Sequence, residues 1–160
     1  MEKIYYNNPL LNRSSELRKD ENFLKSILDS ENVNFIPMRD DENYFLSKKK
    51  DIKPLILKRQ ELELYTKDIN LDKMIFLGKI KEKFYFSINI KSKIDKNTLE
   101  IDQGDIITDQ LRNVIGSLTE LDSSYLALAK GMTFWHKKNK FCGVCGSKTK
   151  KKEAGFCFKM

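Results

Sequence analysis

Apolar positions recur along this chain in two rhythms, and the change of rhythm divides it into three parts. In the first part Phe23, Leu24, Ile27 and Leu28 fall at helical spacing within residues 21–29, and Asp20 stands where it can cap that helix. Asn7-Asn8-Pro9 is a turn signal, and Ser14 or Ser15 is placed to cap a first turn. Strand-type runs follow at residues 33–38, 44–46, 55–57 and 74–77, separated by charged or turn-rich stretches at 39–43, 47–53 and 68–72. Residues 83–91 alternate strictly, with Phe84, Phe86, Ile88 and Ile90 on one side and Tyr85, Ser87, Asn89 and Lys91 on the other. That alternation predicts an antiparallel strand with one buried and one wet face.

In the second part the period lengthens. Leu111, Val114, Ile115, Leu118, Leu121, Tyr125, Leu128, Ala129, Met132 and Trp135 recur at three and four residues, which predicts a helix over 109–138 packed against the sheet. Gly116 and Gly131 weaken it, and Asp122-Ser123-Ser124 is the candidate break into two helices. The pattern as a whole predicts an α+β fold: a mainly antiparallel sheet domain over 1–110, a C-terminal helical segment over 111–138 and a partial zinc ribbon over 139–160.

Composition narrows the functional classes. A chain of 160 residues with 40% hydrophobic positions is sized for one domain with a short appendage. No apolar run approaches the roughly 20 residues needed to cross a bilayer, and residues 1–11 hold no stretch of signal-peptide character, so a cytoplasmic protein with no membrane partner is expected. The net charge of +7 sits at one end: from His136 onward eight lysines face one acid, Glu153, while the preceding residues balance. Such a tail is either a solvated lysine-rich loop or a surface for an anionic partner. The first 91 residues contain no histidine, no cysteine and no glycine-rich phosphate loop, so no catalytic or cofactor-binding residue is assigned.

The residues that carry chemistry are Phe141-Cys142-Gly143-Val144-Cys145-Gly146. Two thiols two residues apart, each followed by glycine, form a turn tight enough to bring both sulfurs to one metal ion. In a reducing compartment this spacing points to zinc before a disulfide. Cys142 and Cys145 supply only half of a four-ligand site; Cys157 is the candidate third ligand and the lone histidine, His136, a candidate fourth. A redox pair is the competing reading, although such pairs sit at a strand-to-helix junction whereas this one follows a helix. Without a metal, residues 139–160 are expected to be mobile.

Several separate blocks resemble one family in order along the chain. They are Asn8-Pro9-Leu10 with Arg13, Glu16-Leu17-Arg18 and Asp20; Phe76-Leu77-Gly78 with Tyr85-Phe86; Leu111-Arg112 with Gly116, Leu118 and Asp122; Leu126-Ala127-Leu128-Ala129; and Trp135-His136 running into Phe141-Cys142-Gly143-Val144-Cys145-Gly146. With these blocks the chain resembles the amino-terminal portion of the Nudix-family NADH pyrophosphatases. That resemblance implies a non-catalytic Nudix-like domain, then a four-cysteine zinc ribbon, then a catalytic Nudix domain that cleaves NADH to NMNH and AMP with Mg2+ or Mn2+. It also implies a role for the amino-terminal part in dimerisation or in contact with the catalytic domain.

The departures set the functional expectation. Glu153-Ala154-Gly155 stands at the turn before the family's second cysteine pair, Met160 stands where a cysteine is expected, and Cys157 comes three residues early. The sequence contains no two adjacent glutamates, so the Nudix box, whose carboxylates hold the divalent ions, is absent from it. A truncated or split NAD(H) diphosphatase without activity of its own is therefore expected, with structural Zn2+ at a half site and with NAD(H), Mg2+ or Mn2+ bound only by an intact relative. The alternative is a small zinc-knuckle module binding a protein partner, or binding nucleic acid through Lys148 and Lys150, Lys151 and Lys152; few aromatics and no recognition helix accompany those lysines, which makes nucleic acid the lesser expectation.

Overall fold

The computed structural model describes residues 10–49, 51–102 and 104–159. The turn signal Asn7-Asn8-Pro9 and the position of Met160 lie outside the described residues. Elements follow in the order α1 (Glu21–Leu28), β1 (Val33–Arg39), β2 (Glu42–Lys48), β3 (Asp51–Pro54), α2 (Arg59–Glu63), β4 (Met74–Ile80), β5 (Lys83–Asn89), β6 (Asp105–Asp109), α3 (Leu111–Val114), α4 (Glu120–Lys138), β7 (Lys150–Lys152) and β8 (Cys157–Lys159). The fold is α+β with a mixed, mainly antiparallel sheet, ordered β3-β2-β1-β5-β4 with β6 along β2. Among the described residues only β1 and β5 pair in parallel, from Val33 opposite Phe84 to Met38 opposite Asn89.

Local chemistry explains where the first elements begin. The Asp20 carboxylate accepts the Phe23 amide at 2.9 Å and starts α1, as the cap pattern predicts. Ser14 stands at the N-cap of a first 3-10 turn, Ser15–Lys19, through its carbonyl, which accepts the Leu17 amide at 3.1 Å; its side chain makes no cap bond, its φ is 43° and its amide donates to Asn12 Oδ1 at 2.8 Å. Gly78 lies at a bulge in β4, at φ +138°, where a Cβ would stand 2.3 Å from the Asn12 carbonyl oxygen. Only glycine lets the segment at Asn12 lie against Lys79, joined by amide-to-carbonyl bonds of 2.9 and 2.7 Å.

Three sequence expectations are corrected. First, the face of residues 83–91 expected to be wet is exposed only at Asn89 and Lys91; at Tyr85 and Ser87 it is buried. β5 lies between β1 and β4, and both of its sides are covered: Phe86 and Ile88 face α1 and α2, while Tyr85 and Ser87 are buried toward α4. The Tyr85 ring stacks on Tyr125 of α4 at 5.4 Å. Second, the stripe expected as one helix over 109–138 divides earlier than Asp122. α3 gives way to a 3-10 turn, Ile115–Ser117, and α4 restarts after Thr119. Thr119 Oγ1 accepts the Asp122 amide at 3.1 Å and donates to the Asp122 carboxylate at 2.7 Å, so the supposed breaker is a capping partner. Ser123 and Ser124 stay helical because their hydroxyls donate to the Thr119 and Glu120 carbonyls, at 2.8 and 2.9 Å. Third, the strand expected at 55–57 occupies 51–54, and Leu57 instead bridges Phe35 through two backbone bonds of 2.9 Å. β6 had no counterpart in the sequence reading; it pairs with β2 from Asn43 opposite Asp109 to Ser47 opposite Asp105.

The core has two halves, one on each side of the sheet. Leu24, Ile27, Leu28 and Leu62 close one face over Phe35, Phe76 and Phe86, whose rings lie 5.0–6.2 Å apart. Leu111, Val114, Leu118, Tyr125, Leu126 and Ala129 close the other over Ile36, Met38, Phe45, Ile75 and Leu77. Each fully buried Phe or Leu contributes about 1.5–3 kcal/mol of transfer free energy. Among the described residues no helix is long and apolar enough to cross a membrane.

Candidate functional site

The C-terminal end of α4 leads directly into the cysteine knuckle. Asn139 ends the helix, its amide and its side-chain Nδ2 both donating to the Trp135 carbonyl at 3.0 and 2.8 Å. Phe141 then bridges Lys148, the Cys142 amide donates to the Ser147 carbonyl at 2.8 Å, and the Gly146 amide donates back to the Cys142 carbonyl at 2.9 Å. Gly146 makes that turn possible by adopting φ +70°. Hydrogen bonds from the Ser147 hydroxyl and amide, and then from the Cys142 thiol, hold the Cys145 thiol below its ordinary pKa. The two cysteines of the motif are thus brought together, neither forms a disulfide, and the turn favours the Cys145 thiolate, the form a metal ion requires. Val144, 97% exposed, and Phe141, 62% exposed, form an apolar tip.

Cys157 and His136 are placed elsewhere. Cys157 lies on β8, opposite Lys152, with its thiol directed at the Phe158 carbonyl at 3.7 Å. Among the described residues no three His, Cys, Asp or Glu side chains gather as a metal site, so the structure does not bring Cys157 or His136 to the knuckle. His136 Nε2 lies 2.6 Å from the Gly155 carbonyl oxygen, which only accepts, so Nε2 carries the proton. Burial holds the His136 pKa below its ordinary value, opposed by the Gly155 bond and aided by Lys151.

These contacts dock the tail on the body. Phe158 packs on Trp135 at 4.6 Å and on His136 at 5.2 Å between ring centres, and Gly155 is buried against His136 and Ile75. On the far side Phe156 lies beneath the Arg18 guanidinium, 3.5 Å from ring centre to Cζ. Arg18, itself buried, donates to the Arg13 carbonyl at 2.8 Å. Residues 153–158, part of the segment expected to need metal for order, are therefore held by aromatic and cation contacts to the sheet domain.

Docking encloses a cavity of about 560 Å³ that the sequence reading missed. Its floor is the α4-facing side of the sheet, at Ile75, Ser87 and Asn89; α4 supplies Thr133, His136 and Lys137; the knuckle and β7 close it with Phe141, Lys148 and Lys151. Lys73 and Lys140 bring the lysines that line it to five, with Asp40 as the one acidic lining residue. Lys151 is half-buried, and its pKa is lowered by that burial, with Asp72 raising it and Lys73 lowering it further. The excess of lysines after His136 was the available signal; Lys73 and Ser87 join them only through the tertiary fold.

Set against models of known protein families and against curated protein sequences, the chain matches none.

Proposed function

We propose that this chain is the non-catalytic amino-terminal and half-ribbon portion of a NAD(H) diphosphatase of the Nudix type. Cys142 and Cys145 supply two thiolate ligands to a structural Zn2+, and the remaining ligands come from a catalytic Nudix domain or from a second copy of the chain. The observation that carries this reading is the meeting of the Cys142 and Cys145 thiols on one turn closed by Gly146. The ordered blocks from Arg13 to Gly146 that resemble the family support it, and the lack of adjacent glutamates assigns the Mg2+ or Mn2+ chemistry to residues outside this sequence. Cysteines that form no disulfide at the knuckle suit the reducing environment of the cytoplasm. The exposed Val144 and Phe141 favour a second reading, a zinc-knuckle module that docks a protein partner through this tip.

Metal analysis of the purified chain separates the possibilities. About half a zinc per chain, with a dimer that EDTA dissociates, is expected if two copies share the ion, and Cys142→Ser should abolish both. Release of AMP from NADH by the pure chain, stopped by a chelator, would refute the assignment of the cleavage to another domain.

A further inference from the structure

We infer that the cavity between the sheet and the C-terminal hairpin binds a multiply charged, phosphate-bearing small molecule. This goes beyond the function proposed above and does not rest on it, since the site uses none of the cysteines. Two independent observations point to a ligand.

The first is Ser87. It is 1% exposed, lies on the floor of the cavity, and its Oγ has no hydrogen-bond partner among the described residues. A buried hydroxyl left in that state is destabilising, and native proteins rarely keep one without a reason. A phosphate oxygen supplies the missing acceptor once the floor parts slightly to admit it, since the hydroxyl lies just beneath the cavity surface.

The second is the ring of cations. Lys73 ends the short 3-10 turn Leu71–Lys73 before β4, Lys137 lies on α4, Lys140 and Lys148 flank the knuckle, and Lys151 is the middle residue of β7. Of these, Lys137, Lys140, Lys148 and Lys151 have no salt-bridge partner among the described residues, and Lys73 reaches Asp68 only at 3.5 Å. The half-buried Lys151 is disfavoured as a cation by its burial and by Lys73 and only partly relieved by Asp72, so an entering anion stabilises it further. Five ammonium groups, set against Asp40 in the lining and Asp68 and Asp72 beside it, leave an excess of about two positive charges, which phosphate matches and a single carboxylate does not.

Size and alternation favour a small ligand over a nucleic-acid strand. A volume of about 560 Å³ falls within the roughly 300–1,000 Å³ of small-molecule sites. On β7 only Lys151 faces the cavity, while its neighbours Lys150 and Lys152 lie outside it. A recess with its hydroxyl at the floor suits a compact anion, whereas a strand tracks an open basic stripe.

Titration of the full chain with inorganic pyrophosphate, followed by calorimetry, tests this. Saturable one-to-one binding is expected, with affinity reduced about tenfold or more by Ser87→Ala and by Lys151→Gln, each of which removes a bond to a charged group. Lys150→Gln and Lys152→Gln, which make the same charge change on the same strand, should leave affinity within about twofold. Lys148→Gln, at an exposed position, gives a second reading should Lys151→Gln fail to fold, and is expected to weaken binding as well. Absence of binding, equal losses in the Lys150 and Lys152 variants, or tighter binding of single-stranded DNA than of pyrophosphate would each overturn the proposal.

Discussion

Replacing Gly155 with alanine measures how firmly the C-terminal hairpin is fastened. Gly155 is buried at φ +95°, and a Cβ there would stand 3.0 Å from His136 Cε1 and 3.3 Å from both His136 Nε2 and Ile75 Cγ1. Alanine in that backbone region costs about 1–3 kcal/mol. The added methyl also pushes the imidazole from the Gly155 carbonyl, 2.6 Å away, forfeiting a bond worth about 0.5–1.5 kcal/mol. Together these weaken docking by about 1.5–4.5 kcal/mol, a shift in the docked-to-undocked ratio of about tenfold to a thousandfold. The single tryptophan, Trp135, packs on Phe158 and reports on docking by its emission, while far-UV circular dichroism reports on the whole fold. In Gly155→Ala the tryptophan transition should move to lower urea and separate from the dichroism transition. Gly143→Ala, where a Cβ meets nothing within 4 Å, should leave them together. A Gly155→Ala protein whose tryptophan transition matches the parent would refute the fastening through His136.

Three further outcomes are expected. Because burial keeps the His136 pKa below its ordinary 6.5, the folded state binds fewer protons than the unfolded one below that pH. Its contribution to stability is full above 6.5 and lost as pH falls from there through the lower folded-state value, so the urea midpoint should drop as pH falls below about 6.5 and His136→Gln should flatten the step; an unchanged step in that variant assigns it to other groups. Gly78→Ala should lower unfolding free energy by about 2–4 kcal/mol and expose the Lys79 amide to hydrogen exchange, because a Cβ 2.3 Å from the Asn12 carbonyl breaks both bonds of that bridge. Arg18→Lys removes the planar stack on Phe156 and should cost about 0.5–2 kcal/mol of hairpin docking, seen in the same tryptophan transition; no shift would mean the stack is idle.

What could be read from the sequence was what neighbouring residues decide among themselves. Asp20 and the apolar spacing after it place α1, and residues 33–38 read as a strand because every side chain from Val33 to Met38 is buried and the run is apolar but for Asn34. Ser87 was misjudged for a reason that lies far along the chain: polar residues at every second position imply water only when nothing covers that face, and α4 covers it. Asp122 likewise reads as a helix breaker unless Thr119 is seen to cap through it. The knuckle was legible because two cysteines and their glycines make a local turn, while the cavity needed Lys73, Ser87 and Lys151 to meet from three separate elements. The extra lysines were countable; their facing was not, since it depends on which side of β7 turns inward.

The parallel pairing of β1 with β5 also bears on synthesis. β1 is a central strand whose long edge waits for residues 84–89, so on the ribosome the hairpin of β1 and β2, complete at Lys48, must remain half paired until about forty further residues have been added. During that interval Phe35 and Ile36, apolar side chains on opposite faces, stand beside an open edge, which is the circumstance in which nascent chains engage chaperones or one another.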